Sequence, residues 1–187
     1  INEQYAPYLA VCLKSLAVHV ACDERYRIIV MCDNVKNITM IQLRNVIKDY
    51  ENIDIEFVDI RKKMYEYSES FGQTVTDRQE NRLYSGEFTL TIYFRLFIAE
   101  LFPELNKAVY IDSDTVINDD IAKLYSVDMG DAMFGAVRDT FAGKNTILAH
   151  YIENVVGIER DEYVNSGVLL MLSLIHISEP TRQAEIS

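Results

Sequence analysis

The sequence predicts an α/β fold in which a mainly parallel sheet is sandwiched between helices. Short apolar runs rich in β-branched residues alternate along the chain with segments whose apolar residues recur at helical spacing. Strands joined by crossover helices lie parallel and leave ligand sites at their carboxyl ends. The 187 residues are 49% hydrophobic, which is enough apolar material for the core of one domain.

The N-terminal part predicts two helices and two strands. Pro7 suits a first helical turn, and apolar residues then recur at helical spacing as far as Val20. Residues 27–32 form an apolar run that predicts a buried strand, and residues 37–50 predict a helix. In residues 53–58 apolar and acidic side chains alternate, which indicates a strand with one exposed face.

The rest of the chain continues the alternation. A polar segment with two glycines predicts a long surface loop at 65–87, and an amphipathic pattern that stops before Pro103 predicts a helix at 89–101. The later elements are expected to be a buried strand, a helical turn and a further strand, at residues 107–111, 121–125 and 134–137.

Charge and cysteine content restrict the function. A net charge of -11 and a pI near 4.7 argue against a nucleic-acid or anionic-membrane surface. Apolar runs are too short for a membrane span, so we expect a cytoplasmic protein, with peripheral association at the inner face of a membrane left open. Cys12, Cys22 and Cys32 contain no CxxC pair and predict buried thiols in a reducing compartment.

The C-terminal residues differ from the rest of the chain in their expected origin. Residues 172–182 match what translation of a sequencing adapter would give, so we expect native sequence to stop near Met171 and residues 172–187, with His176, to be non-native. The alternative is an ordinary polar tail. If the tail is non-native, residues 1–171 are expected to be part of one domain.

An acidic pair carries the strongest chemical signal. Asp112 and Asp114 follow the apolar run at 107–111, and residues two apart in extended backbone point to the same side. Close carboxylates favour a divalent cation with hard oxygen ligands, Mn²⁺ or Mg²⁺, which would stabilise charge on a departing diphosphate. Two alternatives stay open: a phosphotransferase of the haloacid-dehalogenase type with Asp112 as nucleophile, and a non-enzymatic module in which the pair holds calcium.

Three ordered motifs carry a family resemblance. Tyr110-Ile111-Asp112-Ser113-Asp114 with the upstream Tyr93-Phe94-Arg95-Leu96, the Tyr163–Leu170 segment and the opening Asn2–Leu16 segment together resemble glycosyltransferase family 8. The resemblance implies a GT-A fold and retaining transfer of glucose or galactose from a UDP-sugar donor. The implied acceptor is a glycan, lipopolysaccharide or protein.

The resemblance also implies roles for individual donor-site residues. Asp112 and Asp114 would hold the metal, with Asp112 and Ser113 beside the donor. Arg95 would meet the donor sugar or diphosphate, for which its planar cation is suited. Tyr5 would stack on uracil, the alternative being packing beneath the first helix, and Asn2 would contact the nucleotide.

Further residues are assigned to the sugar side by the same resemblance. Asp139 and Asn165 are the candidate catalytic residues, although Asp139 could instead cap the next helix. Asn165, Ser166 and Gly167 would line the acceptor and sugar pocket, the alternative for Gly167 being a bulge in a core strand.

Some features of the family are not found in the sequence. Its first strand, a later acidic segment and a C-terminal metal-binding histidine are missing, so we expect a fold incomplete at both ends and an inactive fragment. His19 and His150 fall in predicted helices away from the motifs and are not expected to be ligands.

Overall fold

The structure is a computed structural model that describes residues 1–63 and 90–172. Two compact units divide the chain. Unit 1 comprises Ile1–Leu101 and Ser113–Lys123, and unit 2 comprises Phe102–Asp112 and Leu124–Ser187. The loop predicted at 65–87 and the tail from residue 173 onward, including His176, lie outside the described residues.

Unit 1 is built from alternating helices and strands, as the sequence predicts. Its first four elements are α1 (Ala6–Ala17), β1 (Tyr26–Cys32), α2 (Asn37–Val46) and β2 (Ile53–Asp59). β1 and β2 pair in parallel, with Tyr26 opposite Ile53 and Cys32 opposite Asp59. The predicted parallel order is therefore confirmed here. Both helices end a few residues earlier than predicted.

The predicted helix at 89–101 has a different form. A 3₁₀ helix covers Leu90–Phe97, and only α3 (Ile98–Leu101) is α-helical. A 3₁₀ helix has three residues per turn, so Phe94 and Phe97 lie on one side. Both rings are buried with Ile60 in one apolar cluster. Residues three apart lie on one side of an α-helix as well, so the amphipathic pattern does not distinguish the two helix types.

Unit 2 contains an antiparallel sheet. Its strands are β3 (Lys107–Ile111), β4 (Phe134–Arg138) and β5 (Val164–Leu172). They lie in the order β3-β5-β4, and β5 is antiparallel to both neighbours. The antiparallel direction of β5 was not predicted, because the burial pattern of a strand does not give its direction, whereas the predicted parallel pairing is present in unit 1. β3, expected to be buried, is half-buried along its whole length.

Short helices complete the described part of the chain. They are α4 (Ile121–Tyr125), α5 (Thr146–Tyr151), a π-helix at Ile152–Val156, and 3₁₀ helices at Glu3–Tyr5, Ala142–Lys144 and Arg160–Glu162. The core of unit 1 includes Leu13 and Val30, and that of unit 2 includes Leu170 and Ile152. In neither described range does a helix have the length and apolar character needed to cross a membrane.

The cysteines are only partly as expected. Cys12 in α1 and Cys32 in β1 are buried free thiols, which confirms their prediction. Cys22 is also free but is exposed in the turn between α1 and β1, so its prediction as a buried residue of a helix or strand is wrong. Cys22 lies beyond α1, which ends at Ala17.

Candidate active site

Asp112 is fixed at the end of β3 by two hydrogen bonds. Its backbone N–H donates to the carbonyl oxygen of Gly167 at 2.7 Å, which continues the pairing of β3 with β5. The Tyr110 hydroxyl donates to Asp112 Oδ1 at 2.7 Å. Tyr110 precedes Asp112 by two residues, so both side chains lie on one side of the extended chain. The half-buried carboxylate is therefore oriented by its own strand.

Position 167, beside this carboxylate, has no space for a side chain. A Cβ atom at Gly167 would lie 2.7 Å from Asp112 Oδ2, closer than carbon and oxygen atoms pack, and 3.0 Å from Asn165 Oδ1, which is a tight contact. The Gly167 N–H donates to Asn165 Oδ1 at 2.8 Å. The structure thus brings together three of the predicted site residues.

The backbone at this position is irregular. Between β4 and β5, Ala136 pairs with Leu169 but Val137 pairs with Asn165, so the chain between Asn165 and Leu169 bulges out of the ladder. Asn165 and Ser166 are exposed there. The bulge alternative for Gly167 is therefore confirmed. Bulges commonly re-aim side chains, so this does not exclude a pocket role.

Asp139 follows β4 and stabilises the next turn. Its backbone N–H donates to the Tyr163 carbonyl at 2.8 Å. Its Oδ1 accepts hydrogen bonds from the N–H groups of Phe141 at 3.0 Å and Ala142 at 2.8 Å. The side chain thus stabilises the turn that leads into the 3₁₀ helix Ala142–Lys144, whose N-cap residue is Phe141 and not Asp139. A catalytic role for Asp139 stays a prediction.

In unit 1 the opening segment presents an aromatic pair. Asn2 Oδ1 accepts from the N–H groups of Gln4 at 3.0 Å and Tyr5 at 3.2 Å, and so caps the first 3₁₀ turn. The Tyr5 ring is 39% exposed, and its centroid lies 5.6 Å from that of Tyr8 with the planes tilted by 44°. The ring is therefore partly open to a ligand, and its stacking on uracil stays a prediction.

Glu3 anchors this opening segment to α2. Its carboxylate accepts from the Lys36 N–H at 3.0 Å and from the Thr39 hydroxyl at 2.7 Å. These two bonds, the backbone one first, lower the pKa of Glu3. Sequence reasoning missed this residue because its partners lie 33 and 36 residues away and leave no local signal.

Asp114 lies in the part of unit 1 that follows β3. Asp114 is exposed and Ser113 is half-buried. Burial raises the pKa of the Cys12 thiol to about 11, and the negative charge of Asp114 contributes to the rise. The Asp114 carboxylate is therefore close enough to α1 to influence a buried thiol. Arg95 is half-buried in the 3₁₀ helix, next to the buried Phe94.

The structure does not bring all predicted residues into one described site. Asp112 belongs to unit 2 and Asp114 to unit 1. That they share a cation stays a prediction from their spacing. Across residues 1–63 and 90–172 there is no group of three or more His, Cys, Asp or Glu side chains that could hold a metal ion.

The two described histidines lie on a helix or directly after one. His150 lies on α5 and is exposed. His19 follows α1 instead of lying within it, and its Nδ1 is 2.7 Å from the Ser15 carbonyl oxygen.

Solved structures define the class of this fold. The bifunctional glycosyltransferase WbbM, in its apo form, matches with a TM-score of 0.75 at 24% identity, over 97% of this chain and 32% of WbbM. The galactosyltransferase LgtC, in complex with donor and acceptor sugar analogues, matches with a TM-score of 0.69 at 23% identity, over 95% of this chain and 57% of LgtC. The fold is that of the GT-A glycosyltransferases.

The sequence places the chain more narrowly. It belongs to glycosyl transferase family 8, whose profile matches residues 1–174. A putative glycosyltransferase of Haemophilus influenzae is 27% identical over 170 residues, which is 91% of this chain and 46% of that protein. The chain spans about half the length of the curated relatives it matches. The predicted resemblance is confirmed, and the phosphotransferase alternative is not favoured.

Proposed function

We propose that the protein is a retaining hexosyltransferase that moves glucose or galactose from a UDP-sugar to a hydroxyl group of a glycan, lipopolysaccharide or protein. Membership of family 8 supports the reaction class. The observation that carries the proposal is the orientation of the Asp112 carboxylate. Tyr110 and the β5 backbone fix it, and the neighbouring residue on β5, Gly167, has no side chain. An oriented carboxylate beside a glycine is suited to a ligand that must approach the backbone closely.

Asp112 and Asp114 would hold Mn²⁺ or Mg²⁺. The residues present fit such an ion, because carboxylate oxygens are the ligands that hard divalent cations prefer, and Tyr110 already orients one of the two carboxylates. When bound, the ion supplies positive charge that stabilises the departing diphosphate. The choice between the two metals is part of the proposal.

The other donor contacts come from unit 1. Tyr5 stacks its exposed ring on uracil, and Arg95 donates to the diphosphate or donor sugar. Asn2 Oδ1 accepts the two hydrogen bonds that cap the first turn. The Nδ2 group of Asn2 is therefore the part of its side chain that donates to the nucleotide. Ser113 lies beside the donor between the two aspartates.

The acceptor side is built on the bulge of β5 and the end of β4. Asn165 and Ser166 are exposed there and can hydrogen-bond sugar hydroxyl groups, with Gly167 allowing close approach. Asp139 and Asn165 act next to the reacting sugar. Because Asp139 Oδ1 already accepts two backbone hydrogen bonds, Asp139 is held in one orientation for this task.

Donor binding is the direct test of this function. UDP is titrated calorimetrically into the 187-residue chain with and without Mn²⁺. We expect Mn²⁺ to strengthen UDP binding and Asp112→Asn to reduce the Mn²⁺-dependent affinity by at least about tenfold, because a metal ligand is lost. Asp119→Asn is the matched control, since Asp119 is an exposed carboxylate that pairs with Lys123 at 2.7 Å. UDP binding that ignores both Mn²⁺ and Asp112→Asn would contradict the proposal.

The cellular setting follows from the proposed acceptors. We place the protein in the cytoplasm, with peripheral association at the inner face of a membrane where lipid-linked glycans are extended. Fractionation of cells that express the tagged chain tests this location. A cytoplasmic location predicts recovery in the soluble fraction, and recovery of most of the chain with the membranes at both low and high salt would contradict it.

A further inference from the structure

The part of unit 1 that carries Asp114 is attached to α1 by a serine. Ser15 Oγ accepts a hydrogen bond from the Ile117 N–H at 2.9 Å, between residues 102 positions apart in the chain. The same hydroxyl donates to the Cys12 carbonyl oxygen at 2.8 Å. Ile117 is only 8% exposed, so water competes poorly for this bond. The hydroxyl uses one donor and one acceptor function, both within unit 1.

A second polar contact holds the same segment further along. The Tyr26 hydroxyl donates to Asp120 Oδ1 at 2.8 Å and accepts from the Ala21 N–H at 3.0 Å. Burial and then the bond to Asp120 raise the pKa of Tyr26, so the hydroxyl remains a donor at neutral pH. The segment Ser113–Lys123 is therefore fixed at residue 117 and at residue 120.

The first of these contacts lies closer to the acidic pair. Asp114 precedes Ile117 by three residues, whereas it precedes Asp120 by six. Three extended residues span at most ~11 Å, so fixing the Ile117 amide keeps the Asp114 main chain within that distance of α1. The influence of Asp114 on the Cys12 thiol agrees with a carboxylate held near α1.

Helix stability alone does not explain a serine at this position. Ser15 lies inside α1, where alanine is the better helix former. Serine in a helix interior commonly bonds the carbonyl of an earlier turn, as Ser15 does with Cys12. The additional bond to Ile117 is what an alanine could not provide.

We propose that Ser15 is a positioning residue for the metal site: its hydroxyl fixes the main chain at Ile117 and thereby sets the position from which Asp114 binds the cation. The inference rests on the proposed function, because it takes Asp114 to be a metal ligand. Ser15 itself touches neither cation nor donor. It acts through the backbone of the acidic segment.

The experiment compares Ser15→Ala, Ser15→Thr and Tyr26→Phe in the 187-residue chain. Three quantities are measured: affinity for Mn²⁺ alone by calorimetry, hydrogen exchange of the Ile117 amide, and Tm. Ser15→Ala should weaken Mn²⁺ binding about tenfold, as expected for loss of a residue that orients a ligand, and should speed Ile117 exchange. Ser15→Thr should restore both, because threonine in a helix keeps a hydroxyl that bonds the preceding turn.

Tyr26→Phe separates positioning from general stabilisation. It removes the contact at Asp120, so it should lower Tm while Mn²⁺ affinity stays within about twofold of wild type. Should Ser15→Ala not fold, Ser15→Cys takes its place, since a thiol is similar in size and a weak acceptor.

Two results have different meanings. If the wild-type chain binds Mn²⁺ and Ser15→Ala binds it equally well, or if affinity falls only in proportion to Tm in all variants, the positioning role is overturned and the proposed function stands. If the wild-type chain binds no Mn²⁺, the metal site of the proposed function fails, and the positioning role fails with it. The exchange rate of the Ile117 amide then reports only on the hydrogen bond itself.

Discussion

The candidate residues of the two units are held in different ways. In unit 1 the stabilising hydrogen bonds are made by side chains. The Glu3 carboxylate accepts bonds from Lys36 and Thr39, and the Ser15 hydroxyl accepts one from the Ile117 N–H. In unit 2, Asp112 and Asp139 are held mainly through their own N–H groups, which donate to β5 and to the residue before it, and the Tyr110 hydroxyl adds one side-chain bond to Asp112. Unit 1 should therefore be sensitive to single polar side chains, and unit 2 to changes that move the backbone.

The largest effect is expected for Gly167→Ala in unit 2. The new Cβ would lie 2.7 Å from Asp112 Oδ2, so the carboxylate or the bulge must move. We expect Mn²⁺-dependent UDP affinity to fall about 10- to 100-fold and the free energy of unfolding to fall by ~1–3 kcal/mol. Calorimetry and urea unfolding measure the two quantities.

Gly135→Ala is the control for Gly167→Ala, in the same sheet. Its Cβ would meet Met129 Sδ at 3.0 Å, and a methionine side chain can move aside. UDP affinity should therefore stay near that of wild type. Equal loss of affinity in both variants would show that the contact with Asp112 is not special, and the contrast between the units would weaken.

A smaller effect is expected for Tyr5→Ala in unit 1. If the exposed ring stacks on uracil, its loss should cost ~1–3 kcal/mol of UDP binding free energy. Tyr5→Phe should keep most of the affinity, because the ring face remains. Tyr8→Ala removes the neighbouring ring, which is 57% exposed, and should cost less. A larger loss with Tyr8→Ala than with Tyr5→Ala would assign the base to the other tyrosine.

The smallest effect is expected for Glu3→Gln, and it depends on pH. The pKa of Glu3 is lowered in the folded state by bonds from Lys36 and Thr39. The stability from this carboxylate is therefore fully present above the ordinary carboxyl pKa of about 4.3, and it is lost as the pH falls through the lowered folded value.

Thermal unfolding of both proteins across this pH range measures the effect. The wild type should have the higher Tm at pH 7, and the difference should shrink below about pH 4.3. A difference that is constant with pH would mean that the charge of Glu3 does not contribute. Glu56→Gln is the control, since Glu56 forms an exposed ion pair with Arg27, which is expected to contribute little.

Local patterns predicted most elements but not their tertiary arrangement. Local patterns predict β1 and β2. An apolar run ends before Asp33, an alternation of apolar and acidic residues begins after Asn52, and each pattern is contained within its own strand. The direction of β5 relative to its neighbours could not be predicted, since the same side-chain pattern is found in parallel and antiparallel strands. The 3₁₀ helix at Leu90–Phe97 packs its aromatic rings against Ile60, a partner from elsewhere in the chain.

The same division applies to the site. The bond from Tyr110 to Asp112 could have been inferred, because residues two apart share a face of a strand. The contact between Ser15 and Ile117 could not, since it joins residues 102 positions apart. The motif assignments of Asn2, Arg95, Asp114 and Ser166 stay predictions.

The central proposal is that Asp112 and Asp114 together bind one divalent cation beside Gly167. Paramagnetic broadening of backbone amide signals by substoichiometric Mn²⁺ tests it most directly, because broadening falls steeply with distance from the ion. The account predicts that the amide signals of Asp112, Asp114 and Gly167 disappear first and that Asp112→Asn abolishes this selectivity. If these signals stay sharp while those of other acidic segments, such as residues 51–56, broaden, the account is contradicted.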